Sequence, residues 1–213
     1  MKKIDLVIIG SGPAGMSAAI SAYNNGVKDI LILERAEELG GILQQCIHNG
    51  FGLHKFKEEL TGPEYAWRYE QQIKQQNIPY MLNTMVTKIT KDKKITAVNS
   101  TEGIFEIQAK AIILAMGCRE RSKGALNIPG FRPAGIFSAG TAQKYVNIKG
   151  YLPGKEIVIL GSGDLYAVEF AGTVPAHAEI ETEANLIGRI KGGAKLEYKP
   201  STKAVKDDSG AVN

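Results

Sequence analysis

Leu6-Val-Ile-Ile-Gly10-Ser-Gly12-Pro-Ala-Gly15 is a short apolar run rich in β-branched residues, followed at once by glycines spaced G-x-G-x-x-G. Such a run is the pattern of a strand buried on both faces of a parallel sheet. After the glycines, an Ala-rich stretch from about Pro13 to Asn25, closed by Gly26, predicts a helix. Ile30 to Leu33 is a second apolar strand that ends on Glu34, which completes a βαβ unit. Each glycine then has its own task. Gly10 allows the tight turn, Gly12 lets backbone approach a pyrophosphate, and Gly15 lets the helix pack on the strand. The helix start, Pro13-Ala14, faces phosphate with the positive end of the helix dipole, so Gly10, Gly12, Pro13, Ala14 and Gly15 are the expected phosphate-binding residues. Glu34 lies 19 residues beyond Gly15, where a carboxylate can accept hydrogen bonds from a ribose diol, with Arg35 beside it. The plainer alternative is an ordinary βαβ turn with a surface glutamate; strand, loop, helix and acid together argue against it.

Outward from this unit, Gly40 to Leu60 carries glycines, His48 and His54 without a clean period, and reads as a long functional loop with a short helix at most. Thr61-Gly-Pro-Glu64 matches a capping box that opens a helix to about Gln76. Strand character resumes at Ile78 to Leu82. Three short runs follow (85–89, 95–99 and 104–107), split by Lys91-Asp92-Lys93 and Glu102-Gly103, the pattern of a small antiparallel meander. Ala111 to Ala115 is a separate, fully apolar strand ending at Met116-Gly117. After a Gly- and Pro-rich stretch, a helix is expected over Thr141 to Asn147 and a buried strand over Ile157 to Leu160. The fold class is α/β: a Rossmann-like domain over 1–150 with a parallel sheet and a small meander, then an incomplete or divergent second segment over 151–213.

Composition narrows the function classes. The chain has 213 residues, enough for one sizeable domain and part of another. Its 44% hydrophobic and 23% charged residues are ordinary for globular proteins, whereas 24 glycines point to tight turns and close backbone approach. The net charge of +4 is scattered, with no basic stripe or reading motif for nucleic acid. The apolar run after Met1-Lys-Lys is too short for a signal peptide, and no stretch approaches the roughly 20 apolar residues of a membrane span. Cys46 and Cys118 stand alone, which excludes a disulfide scaffold, a zinc module or another metal site and suggests a reducing, cytoplasmic compartment.

Gly10 to Gly15 with Glu34-Arg35, then Leu39-Gly40-Gly41, and later Ala111 to Ala115 with Met116-Gly117, resemble the FAD domain of the pyridine-nucleotide-disulfide oxidoreductase superfamily. The usual later motif there is Ala-Thr-Gly, so Met116 departs from it while keeping the glycine. The strings from Gly40 to Gly52, Met116 to Arg121 and Phe137 to Gln143 are similar to the branch holding oxidoreductases associated with glycerol-3-phosphate dehydrogenases and the FAD/NAD subunits of sarcosine-oxidase-type and amino-acid dehydrogenases. The resemblance covers about residues 1 to 164. It implies FAD bound by Gly10, Gly12, Pro13, Ala14, Gly15, Glu34, Arg35, Gly40, Gly41, Ala115 and Gly117, with NAD or NADP as hydride partner and no obligatory catalytic side chain. Dithiol reductases of the superfamily carry a cysteine pair after the double glycine; Cys46 alone disfavours that mechanism. Cys46 and His48 are either neighbours of the flavin ring or a buried thiol and a structural histidine. Arg119 and Arg121 either neutralise a cofactor phosphate or sit solvated on a loop.

The superfamily's second glycine motif should follow Leu160. Here Gly161-Ser-Gly163-Asp-Leu-Tyr166 places a phenol where the third glycine belongs, which should keep helix and strand apart. Gly172 and Pro175 shorten the next helix; Ala178 to Ala184 and Leu186 to Ile190 read as extended, with a hairpin over 191–199 and a loose polar tail beyond Pro200. No strand ending in a ribose-binding acid is evident, and Glu179, Glu181 and Glu183 read as solvated strand residues. The second segment is thus the start of an NAD(P)-binding domain, truncated or replaced after about 164, and NAD(P) binding by this chain alone is not expected from it. Three readings compete: an FAD-dependent oxidoreductase passing hydride between NAD(P)H and flavin, a non-catalytic flavin- or nucleotide-binding fragment that works through a partner protein, and a fragment that binds nothing.

Overall fold

A computed structural model describes residues 1–122, 124–125 and 134–154, together with the backbone of strands Ile157–Leu160, Ala178–Glu181 and Ile187–Ile190. The chain divides into two units, Met1–Cys118 and Arg119–Asn213.

The first unit is built on a six-stranded sheet in the order β3-β2-β1-β6-β5-β4. β1 (Lys2–Ile9) and β2 (Ile30–Leu33) enclose helix α1 (Pro13–Asn24), as the βαβ reading requires. Their apolar runs are continuous because both faces of the sheet are covered. Leu6, Ile8, Ile30 and Ile32 pack with Met16, Ala19 and Ile20 of α1 and with Ala66, Tyr69 and Ile73 of α3 (Gly62–Gln75). Val7, Ile9, Leu31 and Leu33 face the other way, against Ile95, Ile107 and Ala109 of the antiparallel strands. Each such buried side chain contributes about 1.5–3 kcal/mol.

β3 (Tyr80–Met81) is shorter than the sequence suggests and pairs parallel with β2. β4 (Met85–Ile89) and β5 (Lys94–Asn99) form the outer, antiparallel part. The expected third meander strand and the separate Ala111 strand are one element, β6 (Gly103–Leu114). Its first half pairs antiparallel with β5 and its length from Ile107 pairs parallel with β1. The polar residues Gln108 and Lys110 that mark a break in the sequence lie within the strand: half-buried Gln108 donates to the Asp92 carbonyl at 2.7 Å, and exposed Lys110 pairs with Asp5 at 2.7 Å.

α3 begins at the expected capping box. Thr61 Oγ1 accepts from the Glu64 N–H, and Glu64 reaches back to the Thr61 N–H at 2.8 Å. The Thr61 N–H, and then the Thr61 hydroxyl donating at 2.8 Å, hold the Glu64 carboxyl below its ordinary pKa. The long loop before it holds a 3₁₀ turn over Gly41–Gln45 and a short helix, α2 (Leu53–Phe56).

In the second unit, α4 (Ala139–Asn147) starts two residues earlier than expected. The Ser138 hydroxyl and then Glu120's own N–H hold the Glu120 carboxyl below its usual range, with a smaller part from the Gly140 N–H, which donates to it at 2.9 Å. β7 (Ile157–Leu160) pairs parallel with β8 (Ala178–Glu181), and β8 pairs antiparallel with β9 (Ile187–Ile190). β8 falls within the expected extended segment from Ala178 to Ala184 and ends on Glu181. The motif at Gly161 to Tyr166, the break at Gly172 and Pro175, and the hairpin over 191–199 lie outside the described residues. Among the described residues no helix is long and apolar enough to cross a membrane.

Candidate cofactor-binding site

Sheet register assembles the site. Ile9 is level with Leu33 on one side and Leu114 on the other, so Gly10, Glu34 and Ala115 leave the sheet together at its C-terminal edge. Gly10 N–H donates to the Leu33 carbonyl at 2.8 Å, and Ala115 N–H to the Ile9 carbonyl at 2.8 Å. This edge, where a parallel sheet meets helix N-termini, is where open α/β sheets bind ligands.

The glycines divide as their spacing predicts. Gly10 has φ +101°, and a Cβ there would lie 2.3 Å from the Ala115 carbonyl oxygen. A Cβ on Gly15 would lie 1.9 Å from the Gly10 oxygen and 3.3 Å from the Ala115 Cβ, so this glycine seats the helix on the turn. Gly12 differs: its backbone is extended, with φ −64° and ψ −177°, and a Cβ would meet nothing within 4 Å. No protein contact requires a glycine at 12. Open space in front of it does fit a pyrophosphate approaching the backbone. Gly12 caps α1 with no side-chain bond, Pro13 occupies the first turn, and Ala14 is exposed beside it.

The double glycine joins this loop. Gly40 N–H donates to the Ser11 carbonyl at 3.0 Å. A Cβ on Gly41, at φ +57°, would come 3.0 Å from the Gly12 Cα. Gly40 and Gly41 therefore pack directly against the Ser11-Gly12 loop. Gly117, with φ +71° and an open Cβ direction, lies three residues beyond the end of β6, and Arg35 is exposed next to Glu34.

Glu34 is 6% exposed. Its Oε2 accepts from the Ser11 N–H at 2.8 Å and the Ser11 hydroxyl at 2.6 Å, and its Oε1 from the Ala36 N–H at 2.8 Å. Its own carbonyl accepts from the N–H of buried Thr84 at 2.8 Å. Ser11 and Thr84 were missed from sequence. Ser11 occupies a wildcard of the glycine template, and Thr84 is joined to the site only by the fold.

The residues of the intervening loop serve mainly to build it. Cys46 is half-buried, its thiol pushed up by burial, and its carbonyl accepts from the Gly62 N–H at 2.8 Å. Gly62 is needed there, since a Cβ would lie 2.4 Å from that oxygen. His48 Nδ1 lies 2.8 Å from the Asn49 carbonyl oxygen, and its ring stacks on Phe51 at 5.3 Å. Phe51, Phe56, Tyr65 and Tyr69 continue that cluster. Burial, then the Tyr69 hydroxyl, push the Tyr65 phenol up to about 12. His54, Cys118, Arg119 and Arg121 are all exposed.

Known proteins agree with this architecture. An opine oxidase subunit of Agrobacterium tumefaciens is 28% identical over 206 residues, covering 92% of this chain and 39% of its own length. Hydrogen cyanide synthase subunit HcnB of Pseudomonas protegens is 31% identical over 168 residues, 75% of this chain and 33% of its own. The crystal structure of Lactococcus lactis thioredoxin reductase superposes with a TM-score of 0.59 at 25% identity, over 85% of this chain and 57% of that one. The chain thus spans about a third to two-fifths of these curated relatives. Residues 4–192 match the pyridine nucleotide-disulphide oxidoreductase family, whose members depend on FAD and NAD(P), and the chain belongs to that family.

Proposed function

We propose that the first unit binds FAD at the edge formed by Gly10, Glu34 and Ala115, and that the protein passes hydride between NAD(P)H and this flavin. The observation that carries the reading is Gly12, a glycine that neither backbone conformation nor any protein neighbour explains. Gly10, Gly12, Pro13, Ala14 and Gly15 would hold the pyrophosphate against the start of α1, with Gly40 and Gly41 closing the other side. Glu34 would accept from the adenosine ribose, and Arg35, Ala115 and Gly117 would border the cofactor where the strands end. Bound FAD supplies the redox chemistry itself; the chain's residues bind it and exclude water from it. Burial raises the Cys46 thiol above its ordinary range, which disfavours a reactive thiolate there.

The second unit is read as the start of an NAD(P)-binding domain, a reading supported by the parallel pair β7 and β8. A cytoplasmic setting is part of the same proposal. A second reading, a flavin-binding subunit that reacts only through a partner oxidoreductase subunit, is favoured by one observation. Two of the relatives named above, the opine oxidase and hydrogen cyanide synthase proteins, are subunits, of which this chain covers the smaller part. Anaerobic titration of the flavin-loaded chain with NADH and then NADPH separates the two. Bleaching of the flavin absorbance with either nucleotide supports hydride transfer by the chain. A bound flavin that neither nucleotide reduces supports the partner-dependent reading.

A further inference from the structure

The two oxygens of Glu34 are not equivalent. Oε2 already receives two donors, both from Ser11, at 2.8 and 2.6 Å, whereas Oε1 receives one, from Ala36 at 2.8 Å. A carboxylate oxygen accommodates about two strong donors, so Oε2 is filled and Oε1 keeps one position. Ser11 is fully buried, and the adjoining Glu34 is 6% exposed. The Ser11 carbonyl accepts from Gly40 N–H at 3.0 Å, which ties its backbone to the second glycine loop.

We propose that Ser11 is a positioning residue that sets ribose specificity: its hydroxyl, together with its N–H, fills Oε2 and leaves Glu34 one acceptor position, so the adenosine ribose is read through one hydroxyl rather than both. The proposal rests on the reading of this edge as a dinucleotide site. A glutamate with both oxygens open would grip a diol at two points. Here the second point is already used by the protein's own hydroxyl. The Ser11→Ala change removes that donor and opens a position on Oε2, so the neglected hydroxyl should then contribute.

The test is calorimetric titration of the whole chain with ADP, 2′-deoxy-ADP and 3′-deoxy-ADP. In the unaltered protein one deoxy analogue should bind about tenfold or more weakly than ADP, the effect of a hydrogen bond to a charged acceptor. The other should bind as ADP does. In Ser11→Ala, both analogues should bind more weakly than ADP. Equal losses for both analogues in the unaltered protein, or no loss for either, would overturn the proposal. So would an asymmetry that Ser11→Ala leaves in place, as expected if the serine only stiffens the loop and its removal weakens all three ligands in proportion. The comparison in the unaltered protein decides alone if Ser11→Ala does not fold. Failure to bind both ADP and FAD is a different result, which removes the dinucleotide reading and this proposal with it.

Discussion

At the scale of single residues, the glycines at 10, 12 and 15 do different physical work, and their substitutions should separate accordingly. Gly15→Ala forces a methyl to 1.9 Å from the Gly10 oxygen, a backbone atom that cannot step aside. It should destabilise the fold by about 1–3 kcal/mol. Gly12→Ser introduces a good helix cap into open space, so its thermal unfolding midpoint should stay within about 2 °C of the parent. It should nevertheless lose FAD affinity, because its side chain enters the space assigned to the pyrophosphate. A Gly12→Ser protein that binds FAD normally would count against the site. Cys46 offers a second check. Its thiol is pushed up by burial, so alkylation by iodoacetamide at pH 8 should be slower than that of free cysteine; faster reaction would mean an activated thiolate. The spacing of the glycines and of Glu34 was legible in the sequence because the G-x-G-x-x-G template encodes backbone needs. Ser11 was not, since its role depends on the side chain of Glu34, 23 residues away, and becomes visible only when β1 and β2 are in register.

At the scale of elements, local signals were read well where they are self-contained. The capping box at Thr61 and Glu64 needs only its own turn, and α3 starts there as expected. Thr61→Ala should lower the unfolding midpoint by about 3 °C at neutral pH. The Glu64 carboxyl is held below its ordinary value in the folded state, so its contribution is present above that value and lost as pH falls through the lowered one. The effect of Thr61→Ala should therefore shrink below about pH 4. A deficit that stays constant with pH, measured by thermal denaturation, would mean the box contributes nothing electrostatic. β6 shows the opposite case. Gln108 and Lys110 look like an interruption in an apolar pattern, but one strand serves two partners, antiparallel to β5 and parallel to β1. Where a strand changes partner its burial pattern changes too, and periodicity alone divides it. Similarly, Glu181 reads from sequence only as a solvated strand residue, because the pairing of β8 with β7 is a long-range fact.

At the scale of the whole molecule, the chain holds a first unit in which β1, β2 and β6 end together at one sheet edge, and it spans about a third to two-fifths of its curated relatives. That edge makes flavin binding the central claim. The direct measurement is the visible spectrum of the purified chain after incubation with FAD and removal of unbound flavin by gel filtration. The expected result is a flavin spectrum that co-elutes with the protein and is absent from Gly12→Ser. A folded chain that emerges colourless after reconstitution would contradict it.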